Sequence, residues 1–518
     1  MPKLTLIQPG DNRELQVTAG QTIADALRHA GIVQDHPCAG RATCGKCRLQ
    51  VFGVLSPVCE AERTLLAQPM LDQGYRLSCT ARIMGDLRVV LSPQADTLHI
   101  LTAEDSLPAI EPLYQRYGAA VDIGTTTLCV QLYGANGLLR TAACKNPQTA
   151  FGADVISRIA YALEGNGDTL QTVLAAAIER LLFQAMQGAD LEPANLDAMV
   201  VTGNTTMLYL ITRSDPECLS HAPFLADRLF GETLSGAELG LRAFSSVRCY
   251  LPPCIGAYLG ADITTALLFS GIFQQSGAAL LVDAGTNGEI ALVQNGRLYC
   301  CSTAAGPAFE GGGIAQGVMG IDGAIDAAWL EEGMLRCSTI GNAAPLGICG
   351  SGIVDVIAAL LQAEALDETG ALNHDGQHSV SNQIEHHGNM PAVRLQGDIF
   401  ISQADIRVVQ LAKSAIHAGI QTLLSVARQD QSSLTRALLA GGFGAYMRIE
   451  SAVRIGLLPA VFLKSGSVLG NAALKGAAML LQNKQLIQQA EHIASAAQIV
   501  DLAGNSQFME YYVESMLF

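Results

Sequence analysis

Apolar and polar residues alternate along residues 3–8 and again along 13–18, with Pro9, Gly10, Asp11 and Asn12 between them. A period of two on either side of a turn cluster predicts a β-hairpin. The stretch from Thr22 to Gly31 breaks that period and predicts a short helix, capped by Thr22 and stopped by the glycine. Asp86–Leu91 predicts a further strand that closes this first region. Residues 93–117 show no period and carry Pro108 and Pro112, which makes them a linker. Beyond Tyr117 the pattern becomes strand, glycine turn, strand over residues 118–133, and the same unit returns over 279–293. Residues 253–268 and 470–481, both rich in small side chains, predict helices suited to close crossing, and Ala437–Ala440 predicts a strand ending in the glycine turn Gly441-Gly442-Phe443-Gly444.

The chain has 518 residues, of which 49% are apolar, enough for three or so folding units with buried cores. Net charge is −16 and the basic residues are dispersed, which argues against a nucleic-acid groove and against an anionic membrane surface. No run of about 20 apolar residues occurs, so no ordinary membrane span is expected. The first residues, MPKLTLIQPGDN, do not make a leader peptide. Fourteen cysteines spread over such a length point to reduced thiols and a cytoplasmic protein rather than a disulfide scaffold.

Four of those cysteines carry chemistry. Cys38, Cys44 and Cys47 follow a C-x5-C-x2-C spacing, and Cys79 follows in Arg-Leu-Ser-Cys-Thr. A [2Fe–2S] cluster needs four thiolates, three from one wrapping loop and one from a distant segment. Gly40 and Gly45 let that loop turn sharply. The alternatives are four unrelated buried cysteines or structural zinc, which usually pairs two CxxC knuckles where only one is present. Cys59 fits no ligand slot.

The two repeated turns read Asp122-Ile-Gly124-Thr125-Thr126-Thr127 and Asp283-Ala-Gly285-Thr286-Asn287-Gly288-Glu289. Each sets an aspartate at the end of an apolar strand, then a glycine turn whose amides can cradle phosphate oxygens. The aspartates can hold Mg²⁺ through water. Two such turns imply a duplicated fold closing over one nucleotide.

In order, these segments resemble the phosphate-1, connect-1, phosphate-2, adenosine and connect-2 elements of the sugar-kinase, heat-shock-70 and actin (ASKHA) superfamily. Fused to a ferredoxin domain, they are similar to the reductive activators of corrinoid iron–sulfur proteins and corrinoid methyltransferases. The strings that carry this are Cys-Ala-Gly-Arg-Ala-Thr-Cys-Gly-Lys-Cys, Val-Asp-Ile-Gly-Thr-Thr-Thr, Thr202-Gly-Asn-Thr-Thr-Met207, Asp-Ala-Gly-Thr-Asn-Gly-Glu, Ala305-Gly-Pro-Ala-Phe-Glu-Gly-Gly312 and Ile348-Cys-Gly-Ser-Gly-Ile353.

The resemblance implies a multidomain α/β and α+β protein. A β-grasp [2Fe–2S] ferredoxin domain occupies residues 1–92, the linker 93–117, and a two-lobed ASKHA ATPase 118–518. Its lobes fall at about 118–270 and 278–482, followed by a C-terminal segment, 483–518. The implied activity is ATP-dependent return of one electron to the inactive Co(II) corrinoid of a partner methyl-transfer protein. A plant-type ferredoxin cluster sits near ~−400 mV, and each ~59 mV of shortfall is tenfold for one electron, so ATP must favour one conformation of the donor–acceptor complex.

In this picture Gly124, Thr125 and Thr126 with Gly285, Thr286 and Asn287 hold phosphates, and Gly441, Gly442 and Gly444 border adenosine. Asp122 contacts Mg²⁺ and Asp283 or Glu289 positions the attacking water, capping of loop amides being the structural alternative for these acids. Glu310 either contacts nucleotide or satisfies loop amides. An upstream donor supplies electrons, and a homodimer is compatible with the family. Two rivals remain: an ASKHA small-molecule kinase with a redox-sensing ferredoxin, and a nucleotide-binding scaffold. His374, His378, His386 and His387 read as an exposed insertion rather than a metal site, and Cys300, Cys301 and Cys349 as buried small residues.

Overall fold

A computed structural model describes the chain except residues 9, 10, 31, 33, 35, 37, 39, 67, 92–108, 188–190, 374, 375, 377, 388, 389 and 443–445. Most of the expected linker lies outside the described residues, as do Pro9, Gly10, Gly31, Pro108, His374 and Gly444. The chain divides into two compact units, the first comprising residues 1–96 with 147–173 and the second the remainder. Residues 147–173, which the sequence assigns to the first ATPase lobe, thus group with the ferredoxin sheet.

In the first unit, β1 (Lys3–Gln8), β2 (Asp11–Gln16), β3 (Arg48–Leu55), β4 (Tyr75–Leu77) and β5 (Ile83–Val90) form one sheet of order β2-β1-β5-β3-β4. β1 and β5 run parallel and the other neighbours antiparallel. A helix, Ile23–His29, begins where the Thr22 side chain accepts the Asp25 N–H at 3.1 Å, satisfying one of the unpaired amides of its first turn. Leu4, Leu6, Ile23, Leu27, Ile83 and Val89 bury their side chains between sheet and helix. In the same unit, Arg28 lies over the Phe151 ring at 5.3 Å.

One buried ion pair locks the segment that delivers Cys79. Arg76 donates to both carboxylate oxygens of Glu62 at 2.8 Å, and the amides of Leu77 and Cys59 donate to the same carboxylate at 3.0 Å. Glu62 is fully buried, so these four donors replace the water it loses.

The second unit contains two sheets with one plan. β6 (Tyr117–Ile123), β7 (Thr127–Gly134) and β8 (Gly137–Lys145) form an antiparallel meander, and β9 (Leu196–Gly203) pairs parallel to β6. β10 (Glu232–Ser235) and β11 (Arg248–Leu251) complete the order β10-β11-β9-β6-β7-β8. The plan returns with β12 (Ala278–Ala284), β13 (Gly288–Gln294) and β14 (Arg297–Thr303). Two small sheets follow, built from β15 (Ala324–Glu331), β16 (Met334–Thr339) and β17 (Gly347–Ile348), then β18 (Ile384–His387), β19 (Met390–Gln396) and β20 (Ile399–Ser402). β21 (Leu434–Ala440) pairs parallel to β12, and with β22 (Gly466–Gly470) and β23 (Ala497–Ile499) gives the order β22-β21-β12-β13-β14-β23.

Helices Ala261–Ser270 and Ala472–Gln482 cross at backbone contact: a Cβ on Gly476 would lie 1.9 Å from the Thr265 carbonyl oxygen. Small residues therefore serve close packing, as the sequence suggested. The first helix begins later than expected, at Ala261 rather than Pro253. Residues 256–259 instead close a turn, with Gly256 N–H donating to Leu259 O at 2.9 Å. Among the described residues no helix is long and apolar enough to cross a membrane.

Removing Glu62 strands Arg76 and two amides in the core of the first unit. Glu62→Ala is expected to destabilise that unit by about 3–5 kcal/mol, read by chemical denaturation. Burial would raise the Glu62 pKa, but Arg76 and the two amides outweigh it and hold it below 4.5. The stabilisation is therefore full above the ordinary glutamate range and is lost as pH falls through the depressed native value. A variant as stable as the parent at pH 7 would contradict this.

Candidate functional site

Cys38, Cys44 and Cys47 come from the loop before β3, and Cys79 from the turn after β4. Gly40 and Gly45 have φ of 79° and 67°, a conformation glycine adopts without strain, and they let the loop fold back on itself. The sulfurs gather as two pairs: Cys38 and Cys44 at 3.4 Å, and Cys47 and Cys79 at 3.3 Å. All four are free thiols.

Within each pair one thiol gains acidity at the other's expense. The hydrogen bond from Cys79 chiefly holds Cys47 down at about 4, against burial, while the same bond pushes Cys79 up. Burial acts to raise Cys38, but the Thr43 amide and the Cys44 thiol outweigh it and bring it to about 7; burial pushes Cys44 up. Four thiols this close cannot all ionise without a cationic centre between them. Two pairs, each wide enough to share one tetrahedral ion, suit two irons with two thiolates apiece.

His36, buried beside Cys47, was not singled out from the sequence. Its Nδ1 lies 3.0 Å from Gln34 O and its Nε2 3.1 Å from Ser78 Oγ. These contacts tie the cysteine loop to the Cys79 segment. Cys59 is half-buried just before helix Glu60–Leu65, away from any sulfur pair.

In the second unit the two repeated turns face one another. Gly124 N–H donates to Thr127 O at 2.9 Å, and Gly285 N–H to Asn287 O at 3.1 Å, closing each hairpin. A Cβ on Gly124 would lie 2.7 Å from Thr127 O, so the first turn accepts only glycine. Asn146 braces it by donating its N–H to Thr126 O and its Nδ2 to Gly124 O, both at 2.8 Å. Asn204 Nδ2 donates to Thr125 Oγ1 at 3.0 Å. The tips meet at Thr126 and Thr286, whose hydroxyl oxygens stand 3.3 Å apart.

Gly441 and Gly442 border the same cleft with Tyr446, and the open space there is about 1280 Å³. Gly441 has a φ of 108°, and a Cβ on it would strike Ala284 O at 2.3 Å, so the end of β21 presses directly on the second turn.

Four acids form the cleft floor. Asp122, Asp283 and Glu289 were expected; Asp262, at the start of helix Ala261–Ser270, joins them. Its signal in the sequence was one charge inside a small-residue helix. Desolvation chiefly raises Asp122 to about 6, with Asn471 Nδ2 donating at 2.8 Å in opposition. Desolvation, then the charge of Asp122, raises Asp283 to about 7. Desolvation, then Asp283 and Asp122, raises Asp262 to about 8; desolvation, then Asp262, Asp283 and Asp122, lifts Glu289 well above its ordinary range.

Among the described residues lining the cleft there is no lysine, arginine or histidine. A polyphosphate could enter this acidic space only with a cation. The donor set fits hydrated Mg²⁺, which keeps its waters and takes few direct carboxylates. Among the described residues no three acidic, histidine or cysteine groups meet closely enough to ligate one ion directly.

Of the remaining described candidates, Cys349 lines the cleft beside Gly350 and Ser351, and the others fall outside both sites. His386 and His387 are exposed on β18, His387 stacking on Phe400, and His378 Nε2 pairs with Asn373 O. Cys300, Cys301 and Cys349 are buried.

Fold and sites together define a class: a four-cysteine ferredoxin domain joined to an ASKHA-type domain. Residues 7–84 match the 2Fe-2S iron-sulfur cluster binding domain, 117–275 the RACo middle region, and 277–518 the C-terminal domain of RACo, the ASKHA domain. The corrinoid activation enzyme RamQ of Eubacterium limosum is 34% identical over 447 residues, covering 82% of this chain and 74% of its own. The [Co(II) methylated amine-specific corrinoid protein] reductase of Methanosarcina barkeri is 25% identical over 434 residues, covering 77% and 76%. The solved structure of a reductive activator for corrinoid,iron-sulfur protein superposes with a TM-score of 0.73 at 28% identity, covering 100% of this chain and 98% of that one. The chain belongs to this RACo-type family of corrinoid activators.

The acid cluster makes a pH-dependent prediction. Between the ordinary aspartate pKa of 3.8 and its native value of about 8, Asp262 holds a proton that the unfolded chain has released. Stability from this group therefore falls as pH rises through that window. Asp262→Asn should raise the melting temperature of the ligand-free protein, by more at pH 8 than at pH 5. An equal or opposite shift would show that the Asp262 carboxyl is not raised in the cleft.

Proposed function

We propose that the protein is an ATP-dependent reductive activator. It passes one electron from a [2Fe–2S] cluster held by Cys38, Cys44, Cys47 and Cys79 to the inactive Co(II) corrinoid of a partner protein, restoring Co(I). The observation that carries the proposal is the presence, in one chain, of two cysteine pairs and a cleft whose opposed turns hang on Asp122 and Asp283. The names of the relatives above support the choice of acceptor.

The cluster would supply a one-electron carrier. His36, Gln34 and Ser78 orient the loop that holds it. Thr125, Thr126, Thr286 and Asn287 offer hydroxyl and amide groups to phosphate oxygens, and Gly441 and Gly442 give the adenosine a flat backbone surface. Gly444 belongs to the same turn in sequence. Asp122, braced by Asn471, holds the water shell of Mg²⁺, while Asp283 and Glu289, paired across the β12–β13 hairpin, orient the attacking water.

A raised carboxyl near neutrality is suited to accept that water's proton. Lobe closure on nucleotide gives ATP a means to favour one state of the donor–acceptor complex. An upstream donor reloads the cluster, and fourteen free thiols suit a reducing cytoplasm. A kinase would need a substrate pocket with its own recognition groups and would give the two cysteine pairs no part in the reaction.

The test is anaerobic. Reduced protein, MgATP and a Co(II) corrinoid protein are mixed and Co(I) absorbance is followed. The parent protein is expected to form Co(I) only with MgATP, Asp283→Ala at a rate at least about a hundredfold lower, and Cys79→Ser not at all. Co(I) formation unchanged without ATP would contradict the proposal.

A further inference from the structure

Glu310 differs from the other carboxylates of the cleft. They face one another or a single amide, whereas one oxygen of Glu310, Oε2, accepts hydroxyl hydrogen bonds from both Thr126 at 2.5 Å and Thr286 at 2.7 Å. Thr126 belongs to the turn of one sheet and Thr286 to the matching turn of the other. A single anionic oxygen thus ties the two turns together.

An acceptor-only oxygen with negative charge, seated between two hydroxyl donors, has the chemistry of a phosphoryl oxygen. The seat lies where the tips of the two turns meet, between Thr126 and Thr286, and the phosphate that reaches furthest between the turns is the terminal one. We propose that Glu310 occupies the seat of the terminal phosphate of a nucleoside triphosphate, is displaced by it, and is therefore the residue that distinguishes triphosphate from diphosphate. This rests on the nucleotide reading of the cleft.

The local backbone makes such a displacement consequential. Glu310 closes the turn Pro307–Glu310. Directly after it, a Cβ on Gly317 would lie 2.2 Å from Gly311 O, and one on Gly311 2.7 Å from Val318 N. The two ends of this loop are pressed backbone to backbone, so it moves as a piece rather than flexing. Val318 N–H donates to Ile348 O at 3.0 Å, and Gly350, which opens helix Gly350–Gln362, leaves no room for a Cβ against Phe309 O at 1.8 Å. Expelling the carboxylate shifts the loop and, through Phe309 and Val318, the start of that helix. A diphosphate, ending short of the seat, leaves Glu310 in place.

Isothermal titration of the full-length protein with MgADP and with the magnesium form of a non-hydrolysable ATP analogue separates the alternatives. In the parent, the triphosphate must break two charge-assisted hydrogen bonds before it binds. Glu310→Ala is expected to bind the triphosphate analogue about tenfold more tightly and ADP within about twofold of the parent. Glu310→Gln keeps the shape and one acceptor oxygen without the charge, and is expected to fall between. Triphosphate binding that is unchanged or weakened in both variants, with parent-like melting curves, would overturn the inference. A parent protein that binds neither nucleotide would instead overturn the nucleotide reading, and the inference with it.

Discussion

Carboxyl groups crowded at the floor of one cleft, with no basic side chain among the described residues around them, set the terms for the second unit. Like charges at close range in a desolvated site are tolerated only if protonated or neutralised by a cation. Burial raises Asp122, Asp262, Asp283 and Glu289, and the charges of neighbouring carboxylates add to it for the last three. An empty cleft is therefore electrostatically costly, and a divalent cation carrying a polyphosphate would relieve the cost. The hairpin turns, the asparagine braces and the backbone-close helix crossing all hold these acids in place.

The cysteine site obeys a parallel constraint. Two sulfur pairs at 3.3–3.4 Å share protons unevenly because four thiolates cannot coexist bare. Both sites are thus built to be completed by positive charge, and in both the supporting contacts are buried polar groups that make sense only around such a centre. His36 and Glu62 anchor the first, Asn146, Asn204 and Asn471 the second. Relatives at 34% and 25% identity align over 82% and 77% of the chain.

Much of this was legible in the sequence. The C-x5-C-x2-C spacing named the cysteines because ligand geometry constrains spacing, and the twin Asp-x-Gly-Thr turns stood out because a tight turn after a buried strand needs those residue types. Supporting residues were less visible. Asp262 looked like a polar interruption of a helix, and only the crossing at Gly476 shows why that helix end faces the acids. Asn471 and Asn204 cap helices and also serve the cleft, a second task that no spacing in the sequence marks. The late helix start at Ala261 was not visible because the turn over residues 256–259 carries no proline or polar cluster to mark it. That residues 147–173 group with the ferredoxin sheet was not foreseeable from a pattern that reports only local period.

Electron paramagnetic resonance of the reduced cluster, in a single turnover with a Co(II) corrinoid partner, tests the central claim of nucleotide-gated transfer most directly. The account predicts a cluster signal that persists with MgADP and disappears on adding MgATP, together with the Co(II) signal and in equal amount. Loss of the cluster signal at the same rate with MgADP would contradict it.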